Sequence, residues 1–156
     1  MECQEDIISK HKSNMNVLPL DQFPLHSFDK LRYADTDRQG HVNNATFATF
    51  LETGRVEFLY NDEAPILMPT TSFVIASLNL NFIREIKWAG EVQIGSGVLR
   101  IGTSSVKVYQ QIFQNGQCAA VAETIVVQVD NESAKSVPLT DIAKERLKAW
   151  VIQKPA

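Results

Sequence analysis

Cysteine is scarce in this sequence: its 156 residues include only Cys3 and Cys118. Two thiols cannot build a disulfide framework, so the sequence predicts ordinary reduced cysteines and a cytoplasmic protein. No apolar run approaches the roughly 18 residues that a membrane-spanning helix needs, and the N-terminus lacks the apolar segment of a signal peptide. Basic residues show no excess, since the formal net charge is −3. This charge argues against nucleic acid as a partner.

Several motifs for metals and phosphate are also missing. The sequence has no G-x-x-x-x-G-K-[S/T] phosphate loop and no G-x-G-x-x-G turn. None of the three histidines has the spacing of a zinc ligand, so no metal is expected. A loop that starts at Asp35 begins like a calcium-binding EF-hand, with Gly40 at the sixth position. Gln39 and Thr46 replace the usual ligands at the fifth and twelfth positions, so calcium binding is not expected.

The hydrophobic pattern predicts one α+β domain. Residues 1–20 are polar and aperiodic and are predicted to form a tail, and residues 21–156 form the domain. Alternating apolar residues predict five strands, at 25–33, 72–83, 92–101, 105–113 and 119–129. Three- and four-residue spacing predicts a long helix over 44–60, and a second helix follows Pro138. This order favours an antiparallel sheet packed against one central helix.

Individual residues refine this pattern. Asn115-Gly116 predicts a tight hairpin, because type I′ turns need positive φ at both central residues. The long helix carries an unusually aromatic face, which suits a helix laid against a sheet. The second helix is predicted to bury a side formed by Ile142, Ala143, Leu147, Trp150 and Val151.

Polar residues with chemical potential cluster just before the long helix. They are Asp35, Asp37, His41, Asn43 and Asn44. Asp and Asn favour turns and helix caps for purely local reasons, which would account for the cluster. A helix N-terminus also presents unpaired N–H groups and partial positive charge, which suit a developing oxyanion. Both interpretations stay open on these grounds.

The string D-x-D-x-x-G-H-V-N-N over residues 35–44, followed by Phe47, Phe50, Glu52 and Arg55, resembles the 4-hydroxybenzoyl-coenzyme A thioesterase-like group of hot-dog-fold proteins. The resemblance covers roughly residues 25–150. It implies a sheet wrapped around the central helix, with a C-terminal helix, and a homodimer or homotetramer. Two departures are visible: Phe47 stands where Tyr is commoner, and the usual Pro after the 72–83 strand is missing.

The resemblance also implies roles for individual residues. Asp37 matches the catalytic carboxylate, His41 would assist, and the backbone N–H of Asn44 would polarise the thioester carbonyl. The residues implied to contact substrate are Gly40, Val42, Asn43 and Phe47. From their spacing on one helix, Glu52 and Arg55 are predicted to form an ion pair.

The implied activity is hydrolysis of acyl-CoA thioesters to a free acid and CoA. A thiol of pKa about 8.5 leaves readily as thiolate, so one ionised carboxylate is sufficient and no cofactor or metal is needed. Whether Asp37 acts as nucleophile or as general base stays open. The alternatives are an acyl-carrier-protein thioesterase, a non-catalytic acyl-CoA-binding module, and a hydratase or dehydratase on the same fold.

Overall fold

The computed structural model describes residues 15–155, so most of the predicted tail, with Cys3, lies outside the described residues. The strands are β1 Leu25–Lys30, β2 Thr71–Phe82, β3 Glu91–Ile101, β4 Ser105–Gln114 and β5 Gln117–Asp130, and the helices are α1 Asn44–Leu59 and α2 Asp141–Lys148. The strands form one antiparallel sheet in the order β1-β3-β4-β5-β2. This is the predicted α+β architecture.

Helix α1 packs on one face of the sheet, which removes its apolar side chains from water. Its buried side chains include Phe47, Phe50, Leu51, Phe58 and Leu59. Asn43 caps the helix, since its Oδ1 accepts a hydrogen bond from the backbone N–H of Ala45 at 2.9 Å. The predicted aromatic face and the start of the helix at Asn44 are therefore confirmed.

Gly54 allows α1 to approach the sheet closely. A Cβ atom at this position would lie 2.8 Å from both Gln110 Nε2 and Ile94 Cγ2, and 3.2 Å from Ser27 Oγ. The Gln110 amide cannot easily give way, because it donates hydrogen bonds to Leu51 O and Ser96 Oγ, each at 3.0 Å. Only glycine fits between helix and sheet here.

The hairpin between β4 and β5 follows the sequence prediction. Asn115 and Gly116 have φ angles of 51° and 76°, as a type I′ turn requires. The first strand is shorter than predicted, because it ends at Lys30 and residues Tyr33–Asp35 form a single 3₁₀ turn. Asp35 stabilises that turn by accepting a hydrogen bond from the Arg32 backbone N–H at 2.8 Å.

The predicted apolar side of α2 is only partly correct. Ala143 and Leu147 are buried, and the Trp150 ring contacts Phe58 edge to face at 5.5 Å. Ile142 is 64% exposed and Val151 is 49% exposed. The helix ends at Lys148, so Val151 lies beyond it and pairs with Val98 through a β-bridge, and Ile142 lies on the solvent side of the turn that buries Ala143.

Residues 15–20 attach to the opposite face of the sheet from α1. Leu18 exchanges two hydrogen bonds with the buried Gln111 side chain, at 2.9 and 2.8 Å. Cys118 is buried on the same face, and burial raises the pKa of its thiol to about 11. This thiol is therefore protonated at neutral pH. Within residues 15–155, no helix is long and apolar enough to cross a membrane.

Replacing Gly54 by Ala should destabilise the fold by about 1–2 kcal/mol. Alanine improves helix propensity by about 1 kcal/mol, but its methyl group would lie 2.8 Å from both Gln110 and Ile94, so we expect an overpacking cost in the upper part of the usual range, about 2–3 kcal/mol. Urea denaturation measures the change in the free energy of unfolding. The exposed Glu57→Ala change on the same helix is the control, and equal stability of the two variants would contradict the close approach at Gly54.

Candidate active site

A tight loop precedes α1 and presents the predicted catalytic residues. The Asp37 N–H donates to His41 O at 2.7 Å, and the Gly40 N–H donates to Asp37 O at 3.1 Å. Gly40 has a φ of +79°, a backbone conformation that favours glycine. The loop is attached to the chain after β2, because the Val42 N–H donates to Ile86 O at 2.7 Å.

The Asp37 carboxylate divides its two oxygens between two environments. Its Oδ1 accepts hydrogen bonds from the backbone N–H groups of Gln39 and His41, at 2.8 and 3.1 Å. Within the described part of the chain, Oδ2 accepts no hydrogen bond. One oxygen thus holds the loop, and the other remains available for chemistry. The local turn role and the catalytic role are compatible in a single side chain.

Asp35, two residues earlier, uses both carboxylate oxygens in hydrogen bonds within the loop. It is 5% exposed, and its two oxygens accept hydrogen bonds from Arg32 Nη2 at 3.2 Å and from the Arg32 backbone N–H. Its own carbonyl accepts a hydrogen bond from the Asn43 N–H at 2.8 Å, which positions the residue that caps α1. Asp35 therefore shapes the loop and does not line the cavity.

A cavity of about 270 Å³ opens beside Asp37 at the start of α1. The residues that line it are Asp37, Gln39, His41, Val42, Asn44, Phe47, Phe82, Arg84 and Glu85. The Asn44 N–H lies in the first turn of α1, where backbone N–H groups have no intrahelical acceptor. Asp37 and the first residue of α1 therefore line the same space, and a helix N-terminus suits a developing oxyanion.

The other residues implied to contact substrate have separate structural roles. Gly40 makes the turn, Val42 is buried at 3% exposure, and the Asn43 side chain caps the helix. The Phe47 ring lies edge to face against Phe82, with centroids 5.0 Å apart, and this aromatic pair forms an apolar wall of the cavity.

Glu85 is a cavity residue that sequence reasoning did not single out. Its Oε2 lies 3.3 Å from His41 Nε2, and its side chain is 59% exposed. It follows β2 by three positions, and a bridge between His41 and Lys87 brings this segment alongside the loop. That pairing joins residues more than forty positions apart, so no local sequence signal predicts it. Arg84, the neighbour of Glu85, also reaches the cavity.

Comparison with known proteins defines the class. The sequence pattern of the thioesterase-like superfamily matches residues 31–151, so the chain belongs to that superfamily. It is 29% identical over 119 residues to the protein YsmA of Bacillus subtilis, covering 75% of this chain and 80% of that protein. It is 27% identical over 126 residues to the long-chain acyl-CoA thioesterase FadM of Escherichia coli, covering 78% of this chain and 96% of FadM.

Solved structures agree with this assignment. A thioesterase from Thermus thermophilus, solved with coenzyme A and zinc, superposes with a TM-score of 0.72 at 27% identity, covering 83% of this chain and 96% of that one. The PA5185 protein of Pseudomonas aeruginosa superposes with a TM-score of 0.77 at 23% identity, covering 85% and 95% of the two chains. The fold is therefore the hot-dog fold that the motif implies.

The contact between His41 and Glu85 predicts coupled effects on turnover. His41→Ala and Glu85→Gln should each slow thioester hydrolysis, and the double variant should be no slower than His41→Ala alone, because the carboxylate acts through the ring that it contacts. The expected coupling is about 1 kcal/mol in a double-mutant cycle. Exposed Glu91→Gln is the control, and fully additive losses would show that the two side chains act independently.

Proposed function

We propose that this protein hydrolyses acyl-CoA thioesters to a free acid and CoA. The observation that carries the proposal is that Asp37 and Asn44, the first residue of α1, line one cavity. Membership of the thioesterase-like superfamily and the similarity to FadM support it. We further place the reaction in the cytoplasm, with which the protonated, buried thiol of Cys118 is compatible.

In the proposed reaction, the thioester carbonyl oxygen accepts a hydrogen bond from the Asn44 N–H. Asp37 Oδ2 either attacks the carbonyl carbon or removes a proton from a water that attacks it. The C–S bond then breaks and CoA leaves as thiolate. In the nucleophilic route, water afterwards hydrolyses the acyl-Asp37 anhydride. The helix N-terminus stabilises the oxyanion in either route, by about 3–4 kcal/mol per good donor.

The cavity suggests how the substrate lies. The aromatic wall of Phe47 and Phe82 suits the acyl group, because the Phe82 ring is 41% exposed and offers apolar surface beside the buried Phe47. Arg84 supplies a cation on the same cavity and suits an anionic part of the substrate. We favour CoA because the similar protein FadM is an acyl-CoA thioesterase, and we keep an acyl-carrier-protein substrate, which also carries a phosphate, as the alternative.

A panel of acyl-CoAs tests the activity directly. Purified protein should release free thiol from at least one short, long or aromatic acyl-CoA, as measured with a thiol-reactive chromophore. Binding without thiol release would instead assign a non-catalytic acyl-CoA-binding module. Loss of enoyl-CoA absorbance without thiol release would assign a hydratase.

Asp37→Asn should abolish turnover and leave the fold intact. Asparagine keeps an Oδ1 acceptor for the Gln39 and His41 N–H groups but removes the ionised carboxylate. The expected loss in turnover rate is about 10²–10⁴-fold, the usual scale for removal of a general base. Exposed Asp62→Asn, beyond the far end of α1, is the matched control. If Asp37→Asn keeps its activity, Asp37 is a turn residue and has no catalytic role.

Asp35→Asn gives a different outcome. The buried Asp35 carboxylate holds Arg32, so its loss should lower stability rather than the chemical rate. Thermal unfolding and thiol release measured on the same samples separate the two effects. A large rate loss at unchanged stability for Asp35→Asn would mean that Asp35 is the acid.

We also propose a homodimer that extends the sheet through β2. This edge strand has 12 residues and contains neither a charged residue nor proline, the usual protections of a free edge. Its exposed apolar side chains include Val74, Ile75, Leu78 and Phe82. Phe82 also lines the active-site cavity, so a partner that adds to β2 would border the site. A tetramer would be built from such dimers.

Solution mass tests this assembly. At micromolar concentration the protein should have at least twice the mass of one chain, and Leu78→Lys should shift it toward the monomer, because a charge would lie at the apolar edge. Ile142→Lys, at an exposed apolar residue of α2, is the matched control. A monomeric wild-type protein would contradict pairing through β2.

A further inference from the structure

Arg55 is a buried cation whose charge has no carboxylate partner in the described part of the chain. It is 5% exposed, in the middle of α1. Its Nη1 donates to two neutral atoms, Gln110 Oε1 at 3.3 Å and Thr124 Oγ1 at 3.5 Å. None of the ion pairs formed among residues 15–155 includes it, so the predicted Glu52–Arg55 ion pair is wrong for the single chain.

The burial of this charge without a counter-charge is unfavourable. Desolvation lowers the pKa of Arg55, and the nearby charge of Glu52 partly raises it again. A buried cation is normally retained only where an acidic group pairs with it. Something outside the single chain should therefore complete this site.

Arg55 borders a second cavity, separate from the one beside Asp37. This cavity has a volume of about 150 Å³ and lies between α1 and the strand β2. Glu52 and Arg55 supply its charged groups, and its other walls are mostly apolar, including Val56, Phe73 and Ile75. Glu52 is exposed at the rim, and Val56 beside it is 45% exposed. A positive and a negative group thus lie side by side on one open, apolar surface.

Two ring contacts place this surface relative to the edge of the sheet. Phe47 on α1 contacts Phe82 at one end of β2, with centroids 5.0 Å apart, and Tyr60 contacts Phe73 at the other end, at 6.3 Å. Along α1, Glu52 and Arg55 lie between these two contacts, and their cavity reaches β2 at Phe73 and Ile75. In antiparallel pairing of two β2 edges, the two-fold axis is perpendicular to the sheet, so the α1 helices of both copies lie on the same face of the joined sheet.

We propose that a second copy of this chain completes the site, with Glu52 of each protomer paired to the partner subunit's Arg55 across the joined β2 edges. The inference rests on the homodimer proposed above. A two-fold interface is self-complementary, so one acidic and one basic residue on the same patch make two equivalent ion pairs. The exposed Val56 and the apolar residues of β2 surround these pairs and exclude water from them.

Mixing two charge variants tests the proposal. Glu52→Arg places two cations on each chain, and Arg55→Glu places two anions on each chain, so each variant alone should be monomeric. Mixed in equal amounts, they should form heterodimers, since each ion pair is then restored between chains. Native mass spectrometry distinguishes the species by mass. A mixture that stays monomeric, or variants that form stable homodimers alone, would overturn the proposal.

A milder pair of variants covers the case in which Arg55→Glu fails to fold. Glu52→Gln should raise the dissociation constant of the wild-type dimer by about tenfold or more, because it leaves Arg55 buried and unpaired. Glu57→Gln, an exposed glutamate on the same helix, should leave it unchanged. Equal dissociation constants for these two variants would overturn the proposal. A second result would also overturn the proposal: added decanoate stabilises the wild-type protein but not the Arg55→Gln variant. Arg55 would then bind the carboxylate of a ligand and not Glu52 of the partner subunit.

Thiol release, measured separately on wild-type protein, distinguishes failure of this inference from failure of the proposed function. If the dimer depends on Glu52 but releases no thiol, the ion pair is supported and the proposed activity is wrong. If the dimer releases thiol and does not depend on Glu52, the activity is supported and the ion pair is wrong.

Discussion

The packing of the aromatic face of α1 against the sheet positions both the core and the candidate active site. Gly54 sets how closely the helix approaches, because any side chain there would collide with Gln110 and Ile94. The same packing directs the N-terminus of α1 toward the end of β2, where Phe47 meets Phe82. The polar end of the helix is thus held beside the loop that carries Asp37 by apolar contacts made further along its length.

Thioester hydrolysis needs few catalytic groups, and the loop before α1 supplies a carboxylate that also stabilises the loop. Asp37 uses one oxygen to hold the turn through Gln39 and His41 and keeps the other available. Asp35 uses both oxygens on Arg32 and so fixes the start of the loop. The two carboxylates, two positions apart, therefore have different roles, and the difference follows from their burial. The exposed one can react, whereas the buried one is committed to structure.

Two features of the single chain lack a partner, and they lie near each other. One is the edge of β2, whose apolar side chains face solvent. The other is Arg55, whose buried charge has only neutral partners among residues 15–155. Both border the cavity between α1 and β2, and the partner chain that we propose accounts for both. Assembly and catalysis are then connected, since Phe82 at the end of this edge also lines the active-site cavity.

The α+β class, the aromatic helix, the Asn115-Gly116 turn and the loop with Asp37 were all predictable from the sequence, because each depends on local periodicity or local turn chemistry. Other features depend on contacts between distant segments. Glu85 meets His41 through a pairing of distant segments, and Arg55 points to Gln110 and Thr124 rather than to Glu52 because the sheet lies beneath it. Ile142 is exposed because the side of α2 that meets the sheet carries Ala143 and Leu147. Such contacts join residues far apart in the chain, and no local pattern encodes them.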